Sequence, residues 1–111
     1  MVTVKVLVPA KQAEATQTTQ YTVGTGLTTI IDKFTATNTN SAAATISVNL
    51  VTDSDSTGNQ NLIVKTKTLQ PTETYTFPEL VGQVLMATGY ISTIASIASA
   101  LTIRVSGREV S

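Results

Sequence analysis

The sequence predicts an all-β chain, a two-sheet sandwich of immunoglobulin-like or jelly-roll type built from about seven or eight short strands. Three observations carry that prediction. Apolar residues alternate with polar ones at period two in several separate runs, the spacing that puts one set of side chains on each face of a strand. Turn-forming clusters separate these runs at near-regular intervals: Gly24–Gly26, "NTNS" from Asn38, "TDSDSTGNQN" from Thr52, Pro71 and Pro78. Threonine supplies about a fifth of the residues, and its β-branched side chain suits a pleated, half-buried surface.

The elements follow in order. Val2, Val4, Val6 and Val8 alternate with Thr3, Lys5 and Leu7 as a strand, which Pro9 should end because it has no N–H for a ladder. "KQAEATQTTQ" reads as a loop or the approach to a second strand, "TTQYTV" (18–23), and "GTG" as the turn after it. The run "TTIIDKFTAT" (28–37) puts Ile30, Phe34 and Ala36 inward and Lys33 outward. Asp32 then shares the inward parity, which requires an edge position, a bulge or a local partner. After the Asn/Thr/Ser corner, Ile46, Val48 and Leu50 alternate with Ser47 and Asn49. Leu62–Leu69 resumes the pattern, with Lys65 and Lys67 on one face blunting a sheet edge.

Thr74–Phe77 forms a short strand with Tyr75 and Phe77 on one side, and "ELVGQVL" reads as a turn of helix or a crossover. The last third admits a helical stripe, Ile91, Ile94, Ala95, Ala98 and Leu101. Its β-branched density and the alternation of Leu101, Ile103 and Val105 favour two strands, Tyr90–Ala95 and Ala100–Ser106, joined as a hairpin at Ser96–Ser99.

At 111 residues the chain has room for one core. It contains no cysteine and no histidine, so thiolate and imidazole chemistry are excluded. Seven basic and seven acidic residues give zero formal charge, and Lys5, Lys11, Lys33, Lys65, Lys67, Arg104 and Arg108 are scattered. Nucleic-acid binding needs a concentrated positive field, and none is expected here. No apolar run approaches the ~20 residues of a membrane-spanning helix, and "MVTVKVLVPAK" lacks a signal-peptide pattern. Charged residues make up 13% of the chain, against roughly 25% in an ordinary soluble domain. That suits either a merely polar surface or faces that touch other protein.

Catalytic and ligand candidates are weak on spacing. Asp53, Asp55, Thr57 and Gly58 resemble the start of a calcium loop, but Val64 stands where a bidentate Glu belongs, and a tight loop explains the composition better. "VGTGLTT" has two glycines of a phosphate loop without a Lys or a following helix. Asp32, Glu73, Glu79 and Glu109 are the carboxylates available for acid–base work, with no spacing that selects a pair. Tyr21, Tyr75 and Tyr90 could line a sugar-binding face but suit core or interface positions better. Arg104 and Arg108, near Glu109, read as rim or surface charges. No catalytic, cofactor-binding or metal-binding residue is assigned, and no cofactor is expected.

Taken in order, three segments carry a resemblance: "YTVGTGLTTIIDKFTATNTNSAAATISVNLV", "LIVKTKTLQPTETYTF", and "LVGQVLMATGYISTIASIASALTIRVSGREV". They resemble small all-β virion structural proteins of tailed bacteriophages, compact sandwiches on capsid, neck or tail in which a "Pro-Gly-Glu-Thr" turn and a terminal "Ser-Gly-x-Glu" recur. The resemblance runs from Tyr21 to Val110. It departs from the pattern at Gln70-Pro71-Thr72-Glu73, where Pro-Gly-Glu is expected, and at Tyr90 after Gly89. It implies a non-enzymatic capsid decoration (cement) protein or neck or tail component. Such a protein is made in the host cytoplasm and assembles as a homo-oligomer with major capsid or neck/tail subunits in the virion. Residues 1–20 then form an N-terminal strand and possible arm, and 21–111 the sandwich. The alternative function is a monomeric recognition module, carbohydrate-binding or adhesin-like.

Overall fold

A computed structural model describes residues 1–111. Nine strands occur in chain order: β1 (Val2–Gln12), β2 (Thr18–Thr22), β3 (Thr28–Asn38), β4 (Ala44–Val51), β5 (Leu62–Leu69), β6 (Thr74–Tyr75), β7 (Val84–Leu85), β8 (Tyr90–Ala95) and β9 (Leu101–Val110). The only helical piece is a single 3-10 turn, Asn59–Asn61. One sheet, A, runs β1-β9-β3-β6 with β7 also on β3; the other, B, runs β2-β8-β4-β5, and every pairing is antiparallel.

The pairing is nested. β4 pairs with β5, β3 with β6 and β7, β2 with β8, and β1 with β9. A long antiparallel ribbon folded over on itself gives that order, which is the jelly-roll alternative of the two sandwich types. It also corrects one expectation. β8 and β9 are the predicted strands of the last third, but they are not a hairpin: β8 lies in sheet B and β9 in sheet A. The Asn38–Ala43 corner likewise carries the chain from sheet A to sheet B. Period two identifies a strand and its faces, whereas the neighbour is chosen by packing.

The core fills the space between the sheets. Phe34, Ile46, Leu69, Phe77, Leu80, Ile91, Leu101, Ile103 and Val105 are all fully buried there. The rings of Phe34 and Phe77 lie 4.6 Å apart between centroids, and Tyr75 meets Phe77 edge-on at 4.7 Å, a favoured aromatic geometry. Tyr75 and Phe77 thus meet as expected, but the strand predicted over Thr74–Phe77 stops at Tyr75, and Phe77 reaches the core from a left-handed turn with φ of 44°. "ELVGQVL" is a turn leading into β7 rather than helix.

Bulges explain three departures from simple parity. The β3–β9 register slips between Ile31 and Lys33, so Asp32 is the extra residue. Phe34 and Ala36 point inward as expected, but beyond the bulge the inward residues become Ile31 and Thr29, and Ile30 turns out. In β5 the slip falls at Thr66, whose φ of 46° is left-handed. It separates the two lysines that parity had placed on one face: Lys65 is exposed, and Lys67 sits 4.5 Å over the Tyr75 ring. In β1 the register slips between Val6 and Val8 and again between Val8 and Lys11. Pro9 therefore falls inside a bulge on an edge strand, where no ladder N–H is needed, and β1 continues to Gln12.

Residues 1–20 hold β1, which is laid along β9, and the start of β2; the position between residues 20 and 21 falls inside β2. Leu7, Val8 and Ala13 belong to the core cluster.

Candidate functional site

The corner at Asn38 shows what the Asn-rich turn does. Asn38 is buried, and its Nδ2 donates to the carbonyls of Ala42 and Leu69, each over 2.9 Å. Its Oδ1 accepts the N–H of Asn40 at 2.9 Å. Its backbone N–H donates to Glu73 O, and its backbone carbonyl accepts from Thr72 N. One side chain with two donors and an acceptor thus ties the β3–β4 corner to the end of β5 and the Pro71 turn. Its role is architectural.

The four candidate carboxylates are not brought together. Arg108 Nε donates to Asp32 at 3.0 and 3.2 Å and its Nη2 at 2.9 Å, a bidentate pair on the surface. Glu73 accepts the N–H of Gln70 at 2.7 Å and closes its own turn. Glu79 accepts the Tyr75 hydroxyl at 2.6 Å. Glu109 accepts the Tyr21 hydroxyl at 2.5 Å and pairs with Lys5 at 3.3 Å. Each carboxylate has a structural partner from a neighbouring strand or turn.

The tyrosines are dispersed as well. Tyr21 is buried at one end of the sandwich, its hydroxyl shared between Glu109 and Thr29 Oγ1 at 2.7 Å. Burial, and then the Glu109 carboxylate beside it, push the Tyr21 hydroxyl up to about 12. The same hydrogen bond, aided by Lys5, holds Glu109 below the usual carboxylate range. A ring so placed cannot serve as a sugar platform.

The predicted loop at Asp53–Asn61 closes on itself through amides. The Asp55 carboxylate accepts from Ser56 N at 2.9 Å and from the side-chain amides of Gln60 and Asn61 at 3.3 and 3.4 Å. Asn61 Oδ1 accepts from Gly58 N and from Asn49 Nδ2 at 3.2 and 2.7 Å, anchoring the loop on sheet B. The calcium-like spacing is therefore a hydrogen-bonded loop. Between this loop and Lys65 lies a polar cleft of about 240 Å³ whose lining includes Ser47, Asn49 and Gln17.

The feature the sequence reading missed is the outer face of sheet A. Val4 pairs with Arg108, Arg108 with Ile30, and Ile30 with Val84, so one cross-strand row runs over β1, β9, β3 and β7. Cross-strand partners share a face. Val4 is 82% exposed, Val2 59%, Val84 52% and Val6 40%. Beyond Val84 the surface continues into an apolar cleft of about 210 Å³ with Leu50, Ile63, Leu85 and Met86 in its lining. The alternation of Val2, Val4 and Val6 was plain in the sequence. Its direction is set by Glu109, the partner of Thr3, which turns inward toward Tyr21 and leaves the valines on the outer face.

No family model, curated protein or solved structure matches this chain.

Proposed function

We propose that this chain is a non-enzymatic structural protein of a bacteriophage virion, a capsid decoration (cement) protein or a neck or tail component that assembles in multiple copies. The observation that carries this reading is the valine-rich outer face of sheet A. Val2, Val4 and Val6 form an exposed apolar stripe along the edge strand β1, bordered by the Arg108–Asp32 pair, and an apolar stripe with a polar border suits a protein–protein contact. The tying of each candidate carboxylate to a structural partner supports the same reading. The resemblance of its turns to those of small virion proteins is in keeping with it, since Asn38, Glu73, Gly107 and Glu109 all serve the fold. Antiserum raised against the purified chain, applied to particles sedimented from host lysates, is expected to label head, neck or tail at regular positions. Recovery of the chain only in the particle-free supernatant would overturn the proposal.

A second reading, a recognition module, draws on the polar cleft beside Lys65. It predicts glycan binding that is lost in Lys65→Ala and unaffected by Tyr21→Phe. A blank glycan array removes it.

A further inference from the structure

The two sheets have four outer edges, and three are protected. β6 and β7 are two residues each. β2 has five residues and a slip between Thr19 and Tyr21. β5 has its Thr66 bulge, with Lys67 turned over Tyr75. Short strands, bulges and misplaced lysines are the usual devices that keep an edge from pairing with another chain. β1 has such devices only from Val6 onward, in its two slips and Pro9. The stretch Val2–Val6 has none, because Lys5 is drawn to Glu109 at 3.3 Å.

The hydrogen-bond directions of this stretch follow from the ladder. Met1 and Ser111 exchange both backbone bonds, Met1 N to Ser111 O at 3.0 Å and Ser111 N to Met1 O at 2.9 Å. In an antiparallel pair, bonded residues alternate. Thr3 and Lys5 therefore bond to Glu109 and Gly107, and the N–H and C=O groups of Val2, Val4 and Val6 point away from β9. The β3 side agrees: Ile31 bonds outward to Gln83 O and Gly82 N, which leaves Ile30 to face Arg108. The free backbone groups and the exposed valine side chains thus belong to the same three residues.

We infer that Val2–Val6 pairs antiparallel with the same stretch of a second copy, about a two-fold axis at Val4. The residues V-T-V-K-V are nearly palindromic about that position. Val4 meets the partner's Val4, and Val2 meets the partner's Val6, so every outward N–H and C=O of the three valines finds a partner. Thr3 lies opposite the partner's Lys5, and no like charges face each other. A register centred on Lys5 would set the two lysines together and is disfavoured. The two five-stranded sheets A then join into one continuous sheet of 5 + 5 strands, and both valine stripes lie side by side on its outer face. Such an isologous contact closes as a dimer. The inference rests on the assembly reading above and specifies one surface for it.

The first experiment is sedimentation equilibrium from micromolar to millimolar chain, comparing the wild type with Val4→Pro. Proline at position 4 removes only an outward N–H, so the β1–β9 ladder survives. A wild-type dimer and a Val4→Pro monomer with unchanged far-UV spectrum are expected. A wild type that stays monomeric throughout, or a Val4→Pro chain that still dimerises, overturns the inference. If Val4→Pro fails to fold, thiol trapping decides, since the chain has no cysteine of its own. Val4→Cys should oxidise to a dimer, and Val2→Cys mixed with Val6→Cys should cross-link. Val2→Cys alone should not, its two copies being displaced by roughly 13 Å along the strands. Cross-linking of Val2→Cys alone, with none in Val4→Cys, overturns it. Persistent assembly through another surface would remove this edge contact while leaving the virion reading intact. Particle labelling tests that reading separately.

Discussion

Asn38 and Leu69 stand 31 residues apart in sequence, yet the Asn38 side-chain amide donates to the Leu69 carbonyl over 2.9 Å in the buried interior. That bond joins the last residue of β3 to the last residue of β5, in opposite sheets. Asn38→Ala would strand the buried carbonyl of Leu69 and leave Ala42 O and Asn40 N without the side-chain partners they have now. A loss of about 3 kcal/mol is expected, read as a lower urea midpoint at unchanged slope. Asn38→Asp keeps the acceptor for Asn40 but loses both donors, and should fall in stability as well.

Gly107 faces the β3 bulge. A Cβ there would run into the Ile30 carbonyl oxygen and approach Leu7 Cδ1 at 2.8 Å. The Ile30 contact is with backbone, so no side-chain rotation relieves it. Gly107→Ala should cost roughly 2–4 kcal/mol and lower the thermal midpoint. Ser106→Ala, one residue earlier, serves as a control within about 0.5 kcal/mol.

Thr72 occupies the third place of the Gln70–Glu73 turn, with φ of 67° and a Glu73 N to Gln70 O bond of 3.0 Å. Pro71 before it suits a type II turn, whose third residue is ordinarily glycine. Thr72→Gly relieves left-handed strain and should stabilise by about 1 kcal/mol, less a part returned through the freer unfolded chain. Differential scanning calorimetry of the pair measures it.

The Tyr21–Glu109 contact sets limits at both ends of the pH scale. The Tyr21 hydroxyl titrates at about 12 when folded against 10.0 unperturbed. Between those values the folded state keeps a proton that the unfolded state has released. This stabilisation is complete below pH 10 and is lost as pH rises toward 12, by about 2–3 kcal/mol. Glu109 is held low by Tyr21 and Lys5, so its contribution is present above the ordinary carboxylate pKa and is lost as pH falls through its lowered folded value. Glu14, bonded to Lys11 at 2.8 Å and to Gln20, adds in the same direction. Tyr21→Phe should flatten the alkaline limb of a stability–pH curve measured by urea unfolding.

Strands were legible wherever side chains alternate without interruption. Leu62–Leu69 is legible to the residue and Leu101–Val105 as an alternating strand; of Ile46, Val48 and Leu50, the first two are fully buried and Leu50 only partly, with Val51 buried beside it. Asp32 was legible as an anomaly: its parity required an edge, a bulge or a partner, and it has a bulge together with Arg108. What failed was direction and neighbour. A single inserted residue reverses every face beyond it, so parity points Ile30 inward when Ile31 is the buried one. Five residues, Ser96–Ala100, are enough for a hairpin but also enough to cross a sandwich. There the choice rests on Ser96, which donates to Thr45 O at 2.9 Å and accepts Thr45 N at 2.8 Å, holding the connection to β4. The outer valine face was hidden for the same reason: three exposed valines and three buried ones have one alternation.

The nested order of the strands has a consequence for synthesis. β9 is the common neighbour of β1 and β3, yet it is made after both and after every strand of sheet B. Sheet B can close as soon as β8 emerges from the ribosome, while the two longest strands of sheet A wait on opposite sides of an empty slot. The last ten residues of ladder then zip into that slot, bringing Ser111 onto Met1. A nascent chain halted before Leu101 would hold a complete sheet B against a split sheet A, with Phe34, Ile31 and Leu7 lacking the strand that lies beside them.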